Sequence, residues 1–209
     1  PKNIDHSVKI PCYDSTLLIV DILKPGSLKN LLSDTQMKTV LSLKLIGRIN
    51  NEDMMTINRM AVLENIDLSG CKSEDALFFL NPYHTVAANK TLRNVILPRI
   101  NRKCVIGPCL NIENITISCD STYIDDNYRF CDNLDSLIYS EGVTFTKNEF
   151  DGAFKVVVYP KSLKTISSFA LMDKDANYST NTVTFICKAE VPPTLTAGKF
   201  RDYSGYQSI

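Results

Sequence analysis

The feature that most constrains this chain is a spacing of apolar residues that keeps returning. In Thr91-Leu92-Arg93-Asn94-Val95-Ile96-Leu97-Pro98 the apolar positions run Leu-x-x-Val-x-Leu. Leu63/Ile66/Leu68 carries the same spacing before it, and Ile112/Ile115/Ile117, Leu134/Leu137/Tyr139 and Phe154/Val157/Tyr159 carry it after. Pro160 falls where Pro98 fell, and Val183 with Phe185 closes the series. With the middle position as marker, the series is Ile66, Val95, Ile115, Leu137, Val157 and Val183, at intervals of 29, 20, 22, 20 and 26 residues. Leu43 extends it backwards by 23.

Periods of 20–29 residues around such a core are the signature of leucine-rich repeats. Each copy supplies one short strand whose alternate side chains point into a stack. A single copy cannot bury that face, but neighbours ~4.8 Å apart bury it for each other. The expected fold is an α/β leucine-rich repeat solenoid: right-handed, with a parallel strand stack of about seven rungs and irregular returns. Between the strands, an apolar residue is followed five positions later by another: Val105 by Leu110, Phe145 by Phe150, Ile166 by Leu171, and Ile124 by Phe130 one residue later still. These returns are expected to close the convex side of the core.

The first 60 residues read differently. Ser15 to Leu23 is rich in β-branched residues and leucine and reads as extended, bounded by Asp14 and by Pro25-Gly26. Ser27 is expected to cap a short helix with Leu28, Leu31 and Leu32 on one face. Leu41-Ser42-Leu43-Lys44-Leu45 alternates as a half-buried strand, which Gly47 is expected to end. Asn50 with Asp53 three residues later starts a second helix, turning Met54, Ile57 and Met60 or Ala61 inward. Residues 1–60 are thus an N-terminal cap containing two short helices and leading into the first repeats. Residues 61–209 are the stack itself, in one domain with one continuous core.

Lys+Arg and Asp+Glu are both 23, so the formal net charge is zero. A nucleic-acid binder carries a clustered basic excess to displace counterions from phosphate, and none is present. No apolar run approaches the ~20 residues that span a bilayer; the run Leu17 to Val20 is broken by Asp21. No secretory signal stands at Pro1, which reads as a mature or trimmed end.

There are seven cysteines, an odd number, and no Cys-x-x-Cys pair; the histidines are His6 and His84. That argues against a zinc site. Cys109 and Cys131 each precede a strand's first apolar residue by three, while Cys119 and Cys187 each lie four after a marker. Two states fit such equivalent positions: buried thiols stacked in ladders, or a Cys109–Cys131 disulfide between adjacent rungs.

Three stretches together resemble one known class. They are Thr39 to Asn50, Met60-Ala61-Val62-Leu63-Glu64-Asn65-Ile66-Asp67-Leu68-Ser69, and the Leu-x-x-Val-x-Leu-Pro units. They look like the BspA-type leucine-rich repeat proteins of Bacteroides-like bacteria, over roughly residues 17–193. Val191-Pro192-Pro193 after the last strand is similar to that family too. The loop from Cys71 to Asn89 and the insertion Asp173 to Thr180 depart from it. The resemblance implies an exported, non-enzymatic protein that is secreted or held at the outer surface of a bacterium. Its route to a membrane would be a lipid anchor ahead of Pro1. It implies adhesion or binding of a host or matrix protein, and supplies no catalytic residue.

Local chemistry points the same way. Asp173-Lys174-Asp175-Ala176-Asn177 starts like a calcium loop, but Tyr178 and Thr184 replace the required Gly and Glu. Asp125-Asp126-Asn127 reads as a turn. His84 lies in the turn-like Asn81-Pro82-Tyr83-His84, with no nucleophile elbow and no glycine-rich phosphate loop. No catalytic residue, metal site or cofactor is therefore expected. Asn89, Asn114 and Asn177 stand in glycosylation sequons, which the bacterial resemblance makes incidental.

Strand alternation also selects an open face. If Val95 and Leu97 point inward, Asn94 and Ile96 point out. The same rule adds Asn65 and Asp67, Asn114 and Thr116, Ser136 and Ile138, Val156 and Val158, and Thr182 and Thr184. The expected partner site is Asn94, Ile96, Asn114, Thr116, Ser136, Ile138, Val156 and Val158, a neutral, partly apolar strip suited to a protein or peptide. Such a face offers a few hundred Å², short of the ~800 Å² per partner of a standard interface. Two other uses compete with binding: a spacer presenting another domain, and a hydrolase with a loop-built site.

Overall fold

The computed structural model describes residues 17–73, 77–79, 89, 91–98, 104–106, 111–118, 134–150, 155–171 and 184–196. Thirteen strands and three short helices lie within them. Eight strands form one all-parallel sheet: β1 (Leu17–Ile22), β2 (Ser42–Arg48), β3 (Asn65–Lys72), β5 (Asn94–Ile96), β7 (Asn114–Ile117), β8 (Ser136–Tyr139), β10 (Val156–Tyr159) and β12 (Thr184–Cys187), side by side in that order.

The apolar markers fall opposite one another. Leu18 pairs with Leu43, Leu43 with Ile66, Ile66 with Val95, Val95 with Ile115, Ile115 with Leu137, and Leu137 with Val157. The sheet thus has one strand more than the seven expected, because β1 belongs to it. At the far end Val157 pairs with Phe185, so Phe185 and not Val183 continues the row. The two-residue slip follows from the Asp173–Thr180 insertion, which removed the spacing cue.

The inward row is dry. Leu43, Leu45, Ile66, Leu68, Val95, Leu97, Ile115, Ile117, Leu137 and Val157 are all buried in one core cluster, joined by Leu63, Leu92, Ile112 and Leu134. Burying each such side chain is worth about 1.5–3 kcal/mol, which is why the spacing was visible in the sequence. The cluster runs from Ile22 to Leu163 without a break at residue 60.

Just before each strand, one carbonyl accepts two consecutive N–H groups. Leu41 O accepts Glu64 N–H and Asn65 N–H, Glu64 O accepts Arg93 and Asn94, Arg93 O accepts Glu113 and Asn114, and Glu113 O accepts Asp135 and Ser136. This bifurcation carries the ladder one residue beyond the strand and satisfies groups that would otherwise be orphaned.

Among the described residues, some of the returns form strands of their own. β9 (Phe145–Phe150), β11 (Thr165–Leu171) and β13 (Thr194–Thr196) form a second parallel sheet, and β4 (Leu77–Phe79) pairs with β6 (Cys104–Ile106). The return Thr165-Ile166-Ser167 is β-branched enough to pair once a neighbour is present. Thr165 pairs with Phe145 and Ile166 with Thr146, so Thr146 takes the buried position expected for Phe145. A register shift follows Ile166, after which Leu171 pairs with Phe150 in backbone register. The expected side-chain partners Leu110, Ile124 and Phe130 lie outside the described residues.

At the N-terminal end are α1 (Leu28–Leu31), α2 (Asp34–Thr39) and α3 (Asn51–Asn58). Ser27 makes no side-chain cap on α1. Asp53 takes that role: its Oδ1 accepts Leu28 N–H at 3.0 Å and its Oδ2 accepts Gly26 N–H at 2.8 Å and Asn50 N–H at 3.0 Å. Leu28 and Leu32 are buried, but Leu31 points to solvent. The unforeseen α2 carries a complete capping box, Ser33 with Gln36. α3 is capped by Asn50 and Asp53 as the sequence reads, with Met54, Ile57 and Met60 buried. Gly47 does not end β2: at φ +109 it sits inside the strand, where a Cβ would lie 2.2 Å from the Ile22 carbonyl oxygen.

Candidate partner-binding face

Each strand of the main sheet turns alternate residues away from the core, and parallel register aligns them into rows. The first row is Ser42, Asn65, Asn94, Asn114, Ser136, Val156 and Thr184. Its first four members are chained. Asn114 Nδ2 donates to Asn94 Oδ1 at 2.7 Å, Asn94 Nδ2 to Asn65 Oδ1 at 2.6 Å, and Asn65 Nδ2 to Ser42 Oγ at 3.0 Å. Three asparagines in successive strands form such a ladder because parallel register brings like positions to ~4.8 Å.

The second row is Lys44, Asp67, Ile96, Thr116, Ile138, Val158 and Ile186. Its charged end is closed on itself: Lys44 Nζ meets Asp67 Oδ2 at 2.8 Å, and Asp67 Oδ1 accepts Ser69 N–H at 2.8 Å. Burial pushes the Asp67 carboxyl up, but the hydrogen bonds from Lys44 and Ser69 and the Lys44 charge outweigh it and hold the group below the usual carboxylate range. Beyond this pair the row turns apolar.

Along the strand starts runs a third line of charge. Arg93 pairs with Glu113 and Lys155 with Asp135, each across one strand step. All four side chains are substantially exposed, so these pairs add little stability and set the polar rim of the face.

All eight residues expected at this face lie in the two rows, on strands β5, β7, β8 and β10, and six of them, Asn94, Ile96, Asn114, Thr116, Ile138 and Val156, are half-buried. Val158 shares the second row but is only 2% exposed, and Ser136 is 9% exposed. Both therefore pack rather than present surface. Thr182 lies outside the described residues, as do His6, His84, Asp125–Asn127, Asp173–Asn177 and Cys12, Cys109, Cys119 and Cys131. Cys187 is exposed, not stacked in a thiol ladder. Its true register is opposite Tyr159, two residues after the marker Phe185, which removes its expected equivalence to Cys119.

Among the described residues, no helix is long and apolar enough to cross a membrane. No protein-family model matches this chain, and no curated protein matches it.

Two features of the face were not legible in advance. The amide ladder needed the register, although Asn65, Asn94 and Asn114 already shared one position relative to the marker. The sequon residue Asn89 is buried: its Nδ2 donates to Ile57 O at 3.2 Å and Met60 O at 3.1 Å, and its Oδ1 accepts Thr91 N–H, Thr91 Oγ1–H and Leu92 N–H. It ties the C-terminal end of α3 to the Thr91-Leu92 segment that leads into β5.

Proposed function

We propose that this chain is a right-handed leucine-rich repeat solenoid of the BspA type that binds a protein or peptide partner through its open face, without catalysis, outside a bacterial cell. The in-register row of apolar markers from Leu18 to Phe185 supports the repeat reading. The observation that carries the binding reading is the change of character along the second row. Its charged end is internally paired at Lys44–Asp67, whereas Ile96, Thr116 and Ile138 leave a neutral, half-apolar strip beside the asparagine ladder. A strip of this kind gains by desolvation against an uncharged partner segment, and the ladder's remaining amide groups can orient it.

The test is selection of binders from a displayed random-peptide library on the whole chain, followed by retesting on Ile96→Asp and Ile138→Asp. Binding should fall at least about tenfold on either change, since a buried apolar contact becomes an unpaired charge, with unfolding midpoints little altered. Peptides bound equally by both variants, or no peptides at all, would favour a spacer.

A further inference from the structure

We propose, resting on the binding reading above, that the partner of the open face is an uncharged, proline-rich segment lying along the strand stack as a polyproline II helix. In the second row Ile96 stands opposite Thr116, and Thr116 opposite Ile138. The two isoleucines are therefore two strand steps apart, about 9.6 Å at ~4.8 Å per step. All three side chains are half-buried. The row is closed on either side of them. Asp67 is 3% exposed and tied to Lys44, and Val158 is 2% exposed. Asp67 and Val158 stand four steps apart in the register, so the window between them is about 19 Å long.

Backbone conformations differ in how they repeat against that spacing. An extended strand returns a side chain to the same side about every 6.7 Å. An α-helix does so about every 5.4 Å, and its carbonyls are already taken by its own N–H groups. A polyproline II helix has three residues per turn at about 3.1 Å each, so residues i and i+3 lie about 9.3 Å apart on one side. That differs from the Ile96–Ile138 step by only about 0.3 Å. Two turns, about six residues, fill the window.

The polarity of the face agrees with its spacing. A polyproline II helix makes no internal hydrogen bonds, so its carbonyls need outside donors, and proline has no N–H to offer in return. Asn65, Asn94 and Asn114 supply donors in the adjacent row, one per strand step. Each commits one amide hydrogen to the ladder, and each Nδ2 carries a second hydrogen that the ladder does not use. Between Asp67 and Val158 the second row holds no charge, and Lys44 already answers Asp67. A charged segment would lose hydration there with no opposite charge to meet. Proline also presets its own backbone, so a short contact loses little to ordering.

Binding of two fluorescein-labelled, end-capped peptides to the whole chain should be compared by fluorescence anisotropy. One is four Leu-Pro-Pro triplets, which set every leucine on one side of the helix. The other is four Leu-Pro-Pro-Pro units, in which each leucine is rotated by a further third of a turn. The triplet peptide should bind at least about tenfold more tightly, since only it seats two leucines at once. The double change Ile96→Thr with Thr116→Ile keeps the composition of the row but brings its apolar pair to one step. It should weaken triplet binding about tenfold, with the unfolding midpoint little altered. Equal affinity of the two peptides for the unaltered chain overturns the proposal, as does unchanged triplet binding in a folded double variant. Failure of the triplet peptide also overturns it. The binding reading then survives if library-selected peptides still lose affinity on Ile96→Asp, and falls with it if the library yields none.

Discussion

Asp53 holds Leu28: its Oδ1 accepts the Leu28 N–H at 3.0 Å across 25 residues of chain. The same carboxylate binds Gly26 N–H and Asn50 N–H, and it is fully buried. One side chain thus caps α1 from another element and starts α3 at the same time. Asp53→Ala leaves three N–H groups without their acceptor, that of Leu28 buried and those of Gly26 and Asn50 part-buried. Unfolding in urea should show a loss of about 3 kcal/mol or more. Asp53→Asn, which keeps one acceptor oxygen, should lose clearly less. Equal stability of Asp53→Ala and wild type would refute the assignment.

Asn89 gives a second, independent check. Both its amide hydrogens and its oxygen are committed inside the fold. Asn89→Asp turns two donated hydrogen bonds into acceptor–acceptor contacts and should cost about 2–4 kcal/mol. The same burial predicts that the sequon stays unmodified when the folded chain is secreted from a eukaryotic host. A glycopeptide carrying a sugar on Asn89 of folded protein would count against it.

The Lys44–Asp67 pair sets a pH dependence. The Asp67 carboxyl is held below its ordinary value of 3.8, so the native state binds its proton less readily than the unfolded chain. Its contribution is present above the unfolded value and is lost as pH falls through the folded one. In acid denaturation followed by circular dichroism, Asp67→Asn should flatten the fall in stability below about pH 4. Parallel curves for variant and wild type would show that the pair does not titrate as described.

Gly47 and Gly142 separate close approach from backbone preference. Both adopt positive φ, +109 and +95. A Cβ at Gly47 meets the Ile22 carbonyl oxygen at 2.2 Å, whereas one at Gly142 meets nothing within 4 Å. Gly142→Ala should cost about 1 kcal/mol, the conformational term alone. Gly47→Ala must also part β1 from β2 and should cost several-fold more in thermal or urea unfolding. Equal costs would mean that β1 is free to shift.

What was legible in the sequence was what burial dictates. The markers Ile66 to Val157 needed only spacing, because each inward position of their row is buried and apolar. The α3 start was legible because Asn50 and Asp53 are local to it. Asp53's second role was not, since its partners Gly26 and Leu28 are distant in sequence and offer only backbone. The return strands were hidden because a return with one apolar face and a shift of register has no clean period, as Ile166 to Phe169 shows. Alternation assigned residues to rows but carries no information on cover, which is why Val158 and Ser136 were expected to be accessible.

In the asparagine row, Asn114, Asn94 and Asn65 all donate in the same sense, ending on Ser42. Asn94 cannot rotate its amide by half a turn alone without setting oxygen against oxygen towards Asn65 and N–H against N–H towards Asn114. The row therefore has two low-energy states, all forward or all reversed, and its dipoles add along the stack in either. A contact that turns Asn114 at one end would turn its neighbours with it, carrying an orientational signal three strands away to Ser42 with no movement of the backbone.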